Sequence, residues 1–315
     1  MEDRKAMKKL NIDKQTALLA AALIVIVVGM GIAKPAFFRP TNIMNIFVQN
    51  SLLGIAALGV GLVMISGGID LSIGYMISLS GCTAAVAMSA GVSEPVGFLI
   101  GVLVGCAGGL INGILVVVCK AEPFIITLGM MTVYQGLCLL VTGGSNINLS
   151  GFSFGREKIG GVVPVNLVVL VIVFIVVGLV FKFSKFGRRA YAIGDNEEAA
   201  YLTGIKVNRQ KIWMYLLEGF LMGFAAMFML SRLRGCNSTM GEGTLMEAIA
   251  AAVIGGVSMS GGKGSVAGIF LGMLLIGVVN NSLNLLQVDS FWKYIIMGAI
   301  IVLAVFVSNI GKKSR

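Results

Sequence analysis

An all-α, polytopic membrane bundle is the fold class that this sequence predicts, and three observations predict it. Apolar residues make up 57% of the chain and charged residues 12%, with a mean hydropathy of +0.96. Soluble domains carry about 25% charged and roughly 45–50% apolar residues, so one core surrounded by water cannot hide this much apolar surface. The apolar residues are also gathered into runs close to the ~20 residues that a helix needs to cross a bilayer. Finally, several of the 43 glycines recur every fourth residue within those runs, the spacing that lets helices approach closely in lipid.

Ten such runs follow one another: 15–33, 44–65, 72–90, 96–118, 124–142, 164–183, 211–231, 245–257, 264–286 and 291–309. The first follows a basic stretch, but its apolar length exceeds the roughly 7–15 residues of a signal-peptide core and no A-x-A-like site follows. It is expected to stay as the first span. The fourth carries Gly97, Gly101, Gly105, Gly109 and Gly113, a stripe without side chains for a neighbouring helix to pack on. Gly264, Gly268 and Gly272 repeat the device in the ninth. The run 245–257 is too short to span alone, which gives eight to ten spans. Residues 1–315 read as a single membrane-spanning domain, with a cytoplasmic N-terminal segment, 1–14, and a cytoplasmic loop at 184–210.

Lysine and arginine fix the orientation, since short loops retain them on the cytoplasmic side. With the N-terminus inside, 17 of the 24 basic residues fall inside and only Lys34, Arg39, Arg156, Lys158, Arg232, Arg234 and Lys293 outside. Both termini are therefore expected in the cytoplasm. The net charge of +10 follows from topology, and no nucleic-acid partner is implied.

Several chemistries are excluded. The chain has no histidine, and so lacks the usual general base and the commonest metal ligand. Gly151, Ser153 and Gly155 spell G-x-S-x-G, but without histidine the usual triad cannot form, and the motif sits in a polar loop instead of a strand-turn-helix. GGVSMSGGKGS at 255–265 falls short of a phosphate loop, because Val257 stands where its first glycine belongs and Gly264 follows Lys263. The five cysteines, Cys82, Cys106, Cys119, Cys138 and Cys236, are scattered and read as small packing residues. No metal site, cofactor or catalytic residue is expected.

GGIDLS at 67–72 separates two apolar runs. Gly67 and Gly68 are suited to end one helix in a left-handed turn, and Asp70 to start the next as an N-cap, with Ser72 beside it. Two readings fit: a helix broken within the membrane beside a translocation path, where an ionisable residue is functional, or a cap in a cytoplasmic turn. GGVSMS at 255–260, with Gly255, Gly256 and Ser258, repeats the pattern, as expected of a transporter with an internal repeat and re-entrant helices.

Four stretches, in this order, carry a resemblance over nearly the whole chain: GGIDLSIGYMISLSG (67–81), INGILVVV with PFIITLGMM (111–131), AIGDNEEAAYLTGIKV (192–207) and EAIAAAVIGGVSMSGGKGSVAGIFLG (247–272). They resemble the ribose-type permeases of bacterial ATP-binding-cassette importers. The resemblance implies about ten helices in the bacterial inner membrane, a second permease chain, two cytoplasmic ATPase subunits or domains, and an extracytoplasmic sugar-binding protein. It also implies a monosaccharide or related polyol as cargo, with ATP hydrolysed by the partners. In the cytoplasmic loop the residues alone predict a short helix: Asn196 as N-cap, Glu197 and Glu198 in the first turn, Ala199 and Ala200, and Gly204 as the stop. Glu198, Ala199, Ala200 and Gly204 resemble the EAA-x-x-x-G core by which importer permeases dock on their ATPases.

The competing class is a stand-alone carrier driven by an ion gradient, which needs intramembrane acids. The candidates are Asp70, Glu218 and Glu247. Glu218 is expected to pair with a base or face the bundle interior, and Glu247 to cap a helix start. Asn112, Gln135, Asn280, Asn281 and Asn284 fit either a path for a hydroxyl-rich solute or hydrogen bonds between helices.

Overall fold

The computed structural model describes residues 14–155, 157–161 and 163–310. The N-terminal segment apart from Lys14, Arg156 and the C-terminal Lys312, Lys313 and Arg315 lie outside them. The described residues fold into twelve α-helices: α1 Lys14–Ala33, α2 Pro40–Ile65, α3 Ile73–Ser89, α4 Glu94–Cys119, α5 Pro123–Thr142, α6 Val165–Phe183, α7 Lys185–Asp195, α8 Glu197–Leu202, α9 Val207–Leu233, α10 Thr244–Ile254, α11 Val266–Leu285 and α12 Ser290–Ile310. Two two-stranded ribbons join loops: β1 Ile147–Asn148 pairs antiparallel with β4 Gly235–Cys236, and β2 Lys158–Ile159 with β3 Val163–Pro164.

Every apolar run of the sequence thus became a helix, and the architecture is all-α and polytopic. Seven of the described helices, α1, α2, α4, α5, α6, α9 and α11, are long and apolar enough to cross a membrane. Helix α3 has 17 residues and α10 has 11. At 1.5 Å per residue α10 is about 16 Å long, half of a ~30 Å hydrocarbon core. With α12, 21 residues long, the helices long enough to cross number eight, and α3 and α10 bring the total to ten.

Helix α2 is the centre. Every residue from Asn50 to Ile65 is buried, as expected of a helix that is apolar all round, with α6, α9, α10 and α11 packed about it. The glycine stripe of α4 meets α9: a Cβ on Gly109 would lie 2.1 Å from the Tyr215 carbonyl oxygen, and one on Gly105 2.4 Å from that of Gly219. Gly268 and Gly272 likewise meet the backbone of α10 at Gly255 and Ala251. Gly264 departs from the expectation, because it precedes α11 and has φ +143°, so only two of the three glycines lie on a helix face.

Two further groups of residues take part in packing. Cys82 on α3, Cys138 on α5 and Cys236 on β4 are free and buried, and the Cys82 thiol donates to Asn237 O (3.3 Å), in keeping with their reading as small packing residues. The G-x-S-x-G stretch has a packing role, since Phe152 stacks on Phe154 and Phe154 on Phe228, with Phe98 and Phe224 edge-on to Phe154.

Candidate functional site

The GGIDLS turn is a break between helices, with the left-handed conformation on one glycine only. Gly67 has φ +84°, its amide donates to Met64 O (2.9 Å) and that of Gly68 to Val63 O (3.0 Å), the paired bonds of a Schellman end. Gly68 is needed for another reason: a Cβ there would lie 2.8 Å from the Tyr215 hydroxyl.

Asp70 is fully buried, and its carboxylate is the node of a network. One oxygen accepts from the Ser72 amide (2.7 Å) and the Ser72 hydroxyl (2.6 Å), the other from Asn112 Nδ2 (2.7 Å). Tyr134 of α5 donates its hydroxyl toward Asn112 Oδ1, 2.8 Å away. The Thr127 hydroxyl, also on α5, accepts from the Leu71 amide (3.1 Å). Asp70 is therefore not the N-cap that the sequence suggests. That position belongs to Ser72, and Asp70 sits two residues outside it, holding the turn to α4 and α5.

The fourth wall is α9. Glu218 is fully buried, and its carboxyl lies against that of Asp70. No base pairs with it, since the one ion pair among the described residues is Lys211–Glu197; of the two expectations for Glu218, only the interior position holds. Glu218 is 11 residues into α9, about 16 Å from its start, whereas Gly67, three residues before Asp70, is exposed beside Lys120, Glu122, Glu197 and Lys211.

The second break differs in detail. In GGVSMS the left-handed residue is the second glycine, Gly256 (φ +91°), whereas in GGIDLS it is the first. Ser258 donates its amide to Lys263 O (3.0 Å) and shares a hydrogen bond with Ser260 (3.0 Å). The two breaks touch, because the Gly262 amide donates to Ile65 O (2.9 Å). Into this junction fits Gly194 of α7, where a Cβ would lie 2.0 Å from Ile65 O and 2.5 Å from Gly262 N. Tyr191 of α7 adds a hydrogen bond to Gly264 O (3.0 Å).

Helix α8 follows directly. Asn196 caps it, accepting from the Ala199 amide (2.9 Å), and Glu197 in its first turn pairs with Lys211 (2.6 Å). Gly204 ends it at φ +83°, its amide bonded to Tyr201 O (2.9 Å) and that of Ile205 to Ala200 O (3.2 Å). Glu198 and Ala199 are exposed, but Ala200 is buried against Ile193 and Val207. Its smallness serves the chain's own packing. The exposed apolar side chains are Tyr201 (70%) and Leu202 (78%), which the motif reading missed; on so short a capped helix their exposure was the available signal.

The five polar candidates do not converge. Asn112 is in the Asp70 node and Gln135 is half-buried on α5. Along α11, Asn280 donates to Glu247 Oε1 (3.4 Å), Asn281 exchanges hydrogen bonds with Asn42 (2.9 and 3.0 Å), and Asn284 accepts from Lys293. Glu247 lies in the first turn of α10. A further feature had no sequence signal beyond the shortness of α10. The start of α3 abuts the segment before α10, where the Gly241 amide donates to Ser78 Oγ (2.9 Å) and a Cβ on Gly241 would lie 2.2 Å from Gly74 O.

Known proteins match this chain along almost all of its length. It is 40% identical to the ribose import permease protein RbsC of Bacillus subtilis (strain 168), over 93% of this chain and 91% of that protein. It is 36% identical to the ribose import permease protein RbsC of Escherichia coli (strain K12), over 97% of both. The D-allose transport system permease protein AlsC of Escherichia coli (strain K12) is 36% identical over 96% of this chain and 93% of its own. No solved structure matches the chain. The family model described as branched-chain amino acid transport system / permease component matches residues 42–305, so this multi-pass membrane protein belongs to that permease family.

Proposed function

We propose that the chain is the permease subunit of an ATP-driven importer and forms, with a second permease chain, the path for a monosaccharide or related polyol. An extracytoplasmic binding protein delivers the solute, and two ATPase subunits or domains dock on α8 from the cytoplasm. The observation that carries this is the continuity from α8 to the breaks. Helix α8 presents Glu198, Ala199, Tyr201 and Leu202 to a partner, while α7, one residue before it, is wedged by Gly194 between the two interrupted helices. A push on α8 therefore reaches the backbone at Gly67 and Gly262 through packed atoms. The positive-inside count supports a cytoplasmic position for that loop and both termini in a bacterial inner membrane.

Sugar-permease relatives over more than nine-tenths of the chain support the cargo class. The chain brings no nucleotide-binding motif, and in the 255–265 loop the amides of Ser258 and Gly262 are taken by the chain's own carbonyls. In this proposal ATP hydrolysis is assigned to the partners. The test is reconstitution with the ATPase and the binding protein. Sugar uptake that requires ATP, with hydrolysis stimulated by the loaded binding protein, is expected. Uptake by the chain alone, driven by an ion gradient, would overturn the proposal.

A further inference from the structure

We propose that Asp70 and Glu218 hold a single proton between them, Glu218 as the neutral donor and Asp70 as the ionised acceptor, and that this shared proton closes the 67–72 turn onto α9. Both side chains are completely buried. Asp70 has each oxygen satisfied by donors, Ser72 on one and Asn112 on the other, as an ionised carboxylate requires. Glu218 is the opposite case: taken as ionised, neither of its oxygens has a donor, and its carboxyl lies against another carboxyl.

Two adjoining negative charges in a low-dielectric interior repel one another and lose their hydration together. Among the described residues no lysine or arginine pairs with either. The other titratable groups that face the pair are the phenols of Tyr215 on α9 and Tyr134 on α5, which bring no positive charge. The Tyr134 hydroxyl is engaged by Asn112 and Gly108, and that of Tyr215 has no partner although it is buried. One proton on Glu218 removes the second charge and supplies the missing donor at once. Parting α9 from the turn removes that acceptor, so closure and proton retention favour each other. This holds whichever solute is carried.

The test is infrared spectroscopy of the purified full-length chain in lipid nanodiscs at neutral pH. A carbonyl-stretch band of a protonated carboxyl is expected, shifted to lower frequency when all glutamates carry ¹³C at the side-chain carboxyl, and lost in Glu218→Gln. The glutamine amide still donates to Asp70, so that variant keeps the turn closed. In Asp70→Asn the band is expected to persist at a changed frequency, because Glu218 then bonds to an amide. A neutral-pH spectrum without a glutamate-sensitive band overturns the proposal, as does a band that Glu218→Gln leaves intact. Should Glu218→Gln not fold, the labelled wild-type chain and Asp70→Asn decide between these outcomes.

Discussion

Gly194→Ala is the smallest change that tests the junction between the docking loop and the two breaks. The added Cβ would lie 2.0 Å from Ile65 O and 2.5 Å from Gly262 N, whereas ordinary contact begins at 3.4 Å. The end of α7 must therefore retreat by about 1.4 Å, the difference between 3.4 and 2.0 Å. Ile65 O and Gly262 N are themselves bonded to each other at 2.9 Å, so the intruding methyl group strikes both partners of that bond. Overpacking costs roughly 1–3 kcal/mol and loss of the hydrogen bond about 1 kcal/mol, giving a destabilisation of about 2–4 kcal/mol. The expected outcome is a lower melting temperature in detergent, and uptake reduced more strongly than ATPase co-purification, since α8 itself is untouched. Gly29→Ala is the control: it lies on α1 with no atom near its Cβ position, and should stay within about 1 kcal/mol of wild type. If Gly194→Ala melts and imports as Gly29→Ala does, the junction neither packs nor transmits as described.

Further outcomes are expected. Gly204→Val forces a β-branched residue to φ +83°, costing on the order of 1–3 kcal/mol; co-purification with the ATPase should fall while membrane insertion is unchanged. Asn196→Ala removes the cap of α8 and should weaken the same co-purification by about 1 kcal/mol, whereas Leu202→Ala should weaken it without lowering the melting temperature. Asp70→Leu leaves the Ser72 and Asn112 donors buried without an acceptor, a cost of several kcal/mol, so uptake and folded yield should fall further than in Asp70→Asn; equal impairment of uptake in two folded variants would speak against the hydrogen-bonding role. In a Cys119→Ser background, Asn148→Cys should react with an impermeant thiol reagent in intact cells and Asn208→Cys should not, both positions being exposed; the reverse pattern would invert the orientation.

What the sequence determined by itself follows local rules. Apolar run length gave the membrane class and the helices, because a bilayer admits a span only if about 20 successive residues are apolar. The cap at Asn196 and the stop at Gly204 were legible because each satisfies backbone groups within four residues of itself. The four-residue glycine spacing of α4 gave the close approach, though not its partner. Tertiary structure alone decided the rest. Asp70 was expected to cap its own helix, and instead reaches Asn112 and Glu218, since a buried carboxylate takes whatever donors the packing brings. Which face of α8 Ala200 occupies was not legible, because on a helix of six residues only the neighbours Ile193 and Val207 distinguish one face from another. Gly194 lies within the 192–207 stretch but had no role read from it, and its need for hydrogen in place of a side chain arises only where two broken helices converge on it. The common reason is that lipid tails and a protein interior are equally apolar. In a membrane protein the hydropathy pattern shows which segments leave water, but which face of each helix meets another is settled only by packing.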